Sequence, residues 1–410
     1  DNWRLCMKVL YVSSTHSGMH ESSIYYDLMQ EFVKQGWDVT IAYSREKRLN
    51  LETELYFQNN IRYLGIKTGN ISKNKNLIEK GISILTMDTI FKNSIKKYLG
   101  DESFDLILYS TPPITYIKTI KFLKKQSPNG MIYLMLKDIF PQNAVDIDLM
   151  RENSILHRFF RRKEKRLYQL VDFIGVMSFR NKEYFMEHNP EFGSKVEILP
   201  NSIKVRDDFH IRFSRKDFGI SEDKVVFVYG GNLGFPQDIP FVIECAKALE
   251  KLSDVEMVVC GSGSQEDLIT DYINKYNPSN FKYLGHLPKD KYDELVYHCD
   301  VGLIFLDHRF TIPNYPQRIL SYMEAKLPVL CATDASTDVG TMAEKNGYGY
   351  HVLSNDVATF VDRVELLAED KQLRYQLGQN AYEFLLNNFT VEQAYKILEG
   401  RLNESINNGS

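Results

Sequence analysis

The order of apolar patterns predicts an α/β protein of two doubly wound domains facing a central cleft. Three observations carry this. Short β-rich runs alternate with helical patterns, the signature of parallel sheets covered on both faces. The alternation runs twice, broken by a polar stretch near residues 200–215. The 410 residues suit two domains, at roughly 100–200 residues each.

The elements follow in order. KVLYVSS (8–14) is a buried-strand pattern that enters a polar loop with Gly18. Residues 21–35 carry apolar side chains at helical spacing and stop at Gly36. WDVTIAYS (37–44), FDLILYS (104–110), MIYLMLKD (131–138) and DFIGVMS (172–178) continue the strand series. After Leu199-Pro200-Asn201 the rhythm restarts with VVFVYGG (225–231), VEMVVCG (255–261), FKYLG (281–285), VGLIFL (301–306) and PVLCA (328–332). Domains are expected over 7–203 and 216–387, with a last helix at about 388–406 completing the first. Residues 1–6 read as an upstream extension.

Composition narrows the class. Hydrophobic residues make up 43% and charged residues 25%, as in a globular protein. No apolar run reaches the ~18 residues of a spanning helix, and no leader pattern is seen. Five cysteines without C-x-x-C spacing indicate neither a zinc site nor a disulfide framework, so a reducing cytoplasm is expected. The net charge of −4 conceals +6 over residues 1–203 and −10 over the rest. Opposite signs suggest different partners for the two halves.

In doubly wound sheets the ligand sits beyond the carboxyl ends of the strands, so the loops there hold the candidate chemistry. No G-x-G-x-x-G, P-loop or G-x-S-x-G motif is present. VYGGNLGFPQD (228–238) is either a plain strand-to-helix turn or a place where backbone N–H groups approach an anion. FLDHRFTIPNYPQRILSYMEA (305–325) runs from a strand through a Pro-rich loop into a helix expected at about 317–325. Pro316 suits the first helical position. Arg318 in the first turn opposes the dipole unless an anion sits there, and Arg's fork suits phosphate. Ser321 and Glu324 follow at helical spacing. The three form either a solvated face or a diphosphate and ribose site.

These pieces together resemble the retaining nucleotide-sugar glycosyltransferases of family 4, with the GT-B fold of two Rossmann-like domains. The resemblance runs from Met7 to about residue 400. It is carried by KVLYVSS with its Gly-bearing loop, KDIFPQNAV (137–145), VEILPNSI (196–203), VYGGNLG with Gln237, VEMVVCGSGS (255–264), FKYLGHLPKDKYDELVYHCDVGLIFL (281–306) and PQRILSYMEAKLPVL (316–330). The branch that builds bacterial capsule and O-antigen units is the most similar. Two departures stand out. Pro313 and Ser321 occupy the positions of the usual Glu pair, and Asn232 and Gln237 those of the usual Arg and Lys.

The resemblance implies transfer of a sugar, of the N-acetylated class, from a UDP-sugar with retained configuration and no metal or other cofactor. Donor binding then falls to Gly231, Asn232, Gln237, Leu287, Asn314, Pro316, Arg318 and Ser321 or Glu324. Gly18 and Asp138 take the catalytic positions, with His16 and His20 flanking Gly18. A non-hydrolysing UDP-sugar epimerase and a catalytically inactive sugar-nucleotide-binding scaffold are the rival readings.

The segment 157–170 is strongly basic. Arg158, Arg161, Arg162, Lys163, Lys165 and Arg166 surround one acidic residue, Glu164, with Phe159 and Phe160 beside them. Lys118, Lys121, Lys124 and Lys125 mark a second basic helix. Basic segments with aromatics lie on anionic bilayers. No nucleic-acid module is recognisable. A peripheral position on the inner face of the cell membrane is therefore expected, with a polyprenyl-diphosphate-linked saccharide as acceptor.

Overall fold

A computed structural model describes residues 7–15, 19–21, 23–70 and 77–408. Contacts divide the chain into two units. Unit 1 is Asp1–Val145, Met150–Lys204 and Thr390–Ser410, and unit 2 is Asp146–Leu149 and Val205–Phe389.

Unit 1 is built on eight strands: β1 (Lys8–Ser13), β2 (Asp38–Glu46), β3 (Glu54–Gln58), β4 (Ile61–Thr68), β5 (Leu106–Ser110), β6 (Met131–Leu136), β7 (Phe173–Val176) and β8 (Val196–Ile198). Their order is β3-β4-β2-β1-β5-β6-β7-β8, and all pairs are parallel except β3–β4. Val, Ile, Leu and Tyr fill the strands because both faces are covered, which removes the polar alternation of a one-sided sheet. One face holds Leu10, Ile107, Leu134 and Phe91. The other holds Tyr11, Leu108, Met135 and, from the helix Val391–Asn408, Tyr395, Leu398 and Leu402. Those three are at most 5% exposed, and burial of such side chains stabilises by roughly 1.5–3 kcal/mol each. Trp37 donates its indole N–H to the Tyr395 hydroxyl at 3.1 Å.

The β3–β4 hairpin is absent from the sequence reading. Its two-residue turn is Asn59-Asn60, at φ 50° and 61°. Asn tolerates the left-handed region, and a tight hairpin turn with φ positive at both residues requires it. The pair was the available signal.

Unit 2 carries six parallel strands: β9 (Val225–Asn232), β10 (Val255–Ser262), β11 (Phe281–Tyr283), β12 (Val301–Phe305), β13 (Val329–Thr333) and β14 (Gly349–Leu353). The order is β11-β10-β9-β12-β13-β14. Helices Ile239–Leu249 and Val357–Glu369 begin at Asp238 and Asp356, whose carboxylates accept a backbone N–H of the first turn.

Candidate active site

β9 and β12 are neighbours although β10 and β11 intervene in sequence. The strand order reverses between them, where open α/β sheets bind ligands. β9 ends in Gly230-Gly231-Asn232. Gly231 has φ 145°, which L side chains rarely adopt. A Cβ there would also meet the Arg318 guanidinium at 2.8 Å. Gly231 is thus required both by backbone shape and by the close approach of Arg318.

Arg318 comes from the loop after β12. Its guanidinium lies 4.6 Å from the Tyr229 ring centroid, and Nη1 donates to the Tyr229 hydroxyl at 2.9 Å. That hydroxyl in turn donates to the Asn232 carbonyl at 2.8 Å. Burial works against the charge, but Tyr229, Tyr322 and Tyr292 outweigh it and hold the guanidinium above its ordinary value. Among the described residues no carboxylate pairs with Arg318. A largely buried arginine normally has a counter-ion. Here the guanidinium lies beside a glycine turn at the switch point, where open α/β sheets bind ligands.

The remaining donor candidates sort by what they already touch. Asn232 and Gln237 bind each other, Nδ2 to Oε1 at 2.8 Å, and the same oxygen accepts the Gly234 N–H at 3.3 Å. They shape the turn. Asn314 is anchored through its N–H to the Thr337 hydroxyl at 3.0 Å. Pro316 precedes the helix, which runs Ile319–Glu324 rather than 317–325, with Arg318 as the N-cap residue. Arg318 therefore caps the helix start with helical dihedrals, one position before the first turn expected from sequence, and remains at the positive end of the helix. Its reach to Gly231 stands on geometry. Leu287 lies half-buried in the loop after β11.

Glu324 is turned elsewhere. It is 4% exposed and receives the Arg206 guanidinium at 2.5–3.2 Å and the Arg206 N–H at 2.9 Å. Asp293 takes the same arginine at 2.7 Å. With its oxygens so engaged, Glu324 is not placed as a ribose ligand. Ser321 is half-buried, and its hydroxyl has no hydrogen-bond partner among the described residues. Sequence reasoning missed Tyr229 and Arg206, since a tyrosine inside a strand and an arginine in a linker carry no spacing signal.

Asp238, Asp307 and His308 also converge, with ligand atoms within 4.8 Å. Arg309 already holds Asp307 through two bonds of 2.7 and 2.9 Å and keeps its carboxyl below the ordinary range despite burial.

In unit 1, Asp138 follows β6. Burial raises its carboxyl to about 6, while the Ile139 N–H and the Asn143 side chain oppose the shift. Asn143 Nδ2 donates to Oδ1 at 2.6 Å. Gly18 and His16 lie outside the described residues. His20 stacks on Tyr63 at 4.6 Å and bonds the Tyr56 hydroxyl at 2.5 Å, as a packed aromatic would.

The basic segment forms the helix Ile155–Leu170, started by Ser154, which accepts the His157 N–H. Its residues divide. Phe160 packs edge-on against Phe140 at 4.9 Å and faces inward, against the expectation. Arg161 is bound to Glu164 and Asn189, and Lys165 pairs with Glu191. Arg158, Arg162 and Arg166 are exposed and Lys163 is partly so. Ile155 (89%), Leu156 (54%) and Phe159 (39%) are exposed apolar groups on the same helix, and the sequence reading overlooked the first two. Spacings of three and four put Ile155, Phe159, Arg162, Lys163 and Arg166 in one stripe. Among the described residues no helix is long and apolar enough to cross a membrane.

Comparisons with known proteins agree with this architecture. Residues 210–384 match the family model described as "Glycosyl transferases group 1". The chain is 23% identical over 300 residues to the "Probable glycosyltransferase WbjE" of Pseudomonas aeruginosa, covering 72% of this chain and 74% of that one. The sucrose-phosphate synthase structure from Thermosynechococcus elongatus superposes with a TM-score of 0.73 at 15% identity, over 98% of this chain and all of that one. Anabaena Alr3699/HepE, solved in complex with UDP-glucose, superposes at 0.67 and 14% identity, over 97% of this chain and all of that one. The chain has the GT-B fold and is a glycosyltransferase.

Proposed function

We propose that this chain is a family 4 enzyme that transfers a sugar from a UDP-sugar, with retained configuration and without a metal. Its acceptor is a polyprenyl-diphosphate-linked saccharide at the inner membrane surface, in bacterial capsule or O-antigen synthesis. The N-acetylated class is the proposed donor sugar. The observation that carries the reading is Arg318, a cation with no carboxylate partner among the described residues, set against Gly231 at the switch point. Diphosphate is the leaving group, and its negative charge grows as the glycosidic bond breaks. A preorganised guanidinium and backbone N–H groups stabilise that charge without reorganising. Ser321 is the proposed ribose ligand, and Asp138 the proposed contact to the sugar or acceptor. The bound complex of the Anabaena structural neighbour, with UDP-glucose, supports the choice of donor. The exposed stripe of apolar and basic side chains on Ile155–Leu170 supports the membrane surface.

The test is release of UDP from a panel of UDP-sugars, in EDTA, with and without polyprenyl-diphosphate-linked saccharides. Release that depends on both one donor and the lipid-linked acceptor is expected, with the anomeric configuration of the product matching that of the donor. Release that is indifferent to acceptor, or an inverted product, would overturn the reading.

A further inference from the structure

Lys137 follows the last residue of β6. Period two along the strand puts it on the face of Tyr133 and Met135, which pack against the helices Ile24–Lys34 and Val391–Asn408. It lines a cavity of about 10 Å³ with Tyr25, Pro200, Asn201, Ser202 and Ala394. That is room for about one water. Among the described residues, Tyr25 is the other titratable group on the wall.

Among the described residues no carboxylate pairs with Lys137, and its ammonium has no hydrogen-bond acceptor. Other lysines of unit 1 differ. Lys124 pairs with Asp172 at 2.9 Å, and Lys195 reaches the carbonyl oxygens of Tyr168 and Val171. A largely buried ammonium without an anion is costly. Burial accordingly drives the Lys137 amine down to about 7. A lysine with no carboxylate partner among the described residues leaves a cation open to an anion at the cavity.

We infer that Lys137 is the cationic floor of an oxyanion subsite in unit 1, taking one oxygen of a phosphoryl or carboxylate group. The size of the cavity admits a single oxygen, with the rest of the group outside. Assignment of that anion to the acceptor rests on the reading under Proposed function. The subsite itself rests on the cavity and the missing counter-ion.

The test is carbon NMR of lysine-labelled full-length protein, with the Lys137 Cε signal assigned from Lys137→Met. The signal is titrated without added oxyanion, with saturating sulfate as the phosphoryl probe, and with saturating acetate as the carboxylate probe. The expected midpoint is about 7 alone. The matching probe raises it by at least about one pH unit, a tenfold coupling between proton and anion, and the stronger probe names the source. A midpoint moved by neither probe would overturn the subsite. UDP titrated into the same samples reports on unit 2, so failure there is a separate result.

Discussion

At the scale of single residues, the buried charges separate structural from functional roles. Glu324 and Asp293 share Arg206, and all three are satisfied. Removing one partner of such a set leaves charge buried and unpaired, which costs on the order of 3–5 kcal/mol. Arg206→Met is expected to lose stability of that order in urea unfolding and to keep its UDP affinity. A variant as stable as the parent would contradict the pairing. Asp138 behaves in the opposite way. Its ordinary value is 3.8 and its folded value about 6, so between those pH values the folded chain holds a proton that the unfolded chain has released. The stability it contributes is full below about 3.8 and is lost as pH rises through about 6. Asp138→Asn removes that loss. Thermal unfolding should show the variant more stable than the parent near pH 7.5, by about 1–3 kcal/mol, with the gain vanishing near pH 3.5. If Asp138 acts in transfer, the same variant loses turnover. Equal stability at both pH values would contradict the burial argument.

At the scale of elements, the helix Ile155–Leu170 shows what periodicity conveys and what it omits. Its basic run is plain in the sequence, yet which charges are spent inside the fold is not. Arg161 and Lys165 are taken by Glu164, Asn189 and Glu191, from the same helix and from residues more than twenty positions on. The surface that remains is Ile155, Leu156 and Phe159 followed by Arg162, Lys163 and Arg166. Replacing Ile155, Leu156 and Phe159 together by Ser is expected to release the protein from anionic vesicles at physiological salt, by sedimentation. The apolar insertion is lost although the charge is kept. Replacing Arg161 alone should lower stability more than vesicle binding. Retained binding by the triple variant would remove this face from the membrane contact. The short helix Ile319–Glu324 carries the same lesson. Its residues were legible as helical, but its start was misjudged because Pro316 and Gln317 belong to the loop that carries Arg318 to Gly231.

At the scale of the whole molecule, the strand-and-helix alternation made the fold legible, because strands buried on both faces read as continuous apolar runs. The β3–β4 hairpin was missed because β3 (ELYFQ) is largely exposed, so no buried apolar run marks it, and its turn is Asn-Asn rather than Asn-Gly. Of the candidate site, Gly231 and Arg318 were legible as a glycine turn and a cation at the start of the following helix. Long-range pairing was not: Arg318 with Tyr229 spans 89 positions and Arg206 with Glu324 spans 118, and no local pattern encodes either. The central claim is that unit 2 holds a nucleoside diphosphate through Arg318. Calorimetry of UDP in EDTA, on the parent chain and on Arg318→Ala, tests it most directly. Saturable binding is expected, weakened at least about tenfold in the variant, since charge-assisted hydrogen bonds contribute about 1.5–3 kcal/mol. Equal affinity in the two proteins, or no UDP binding by the parent, would contradict it.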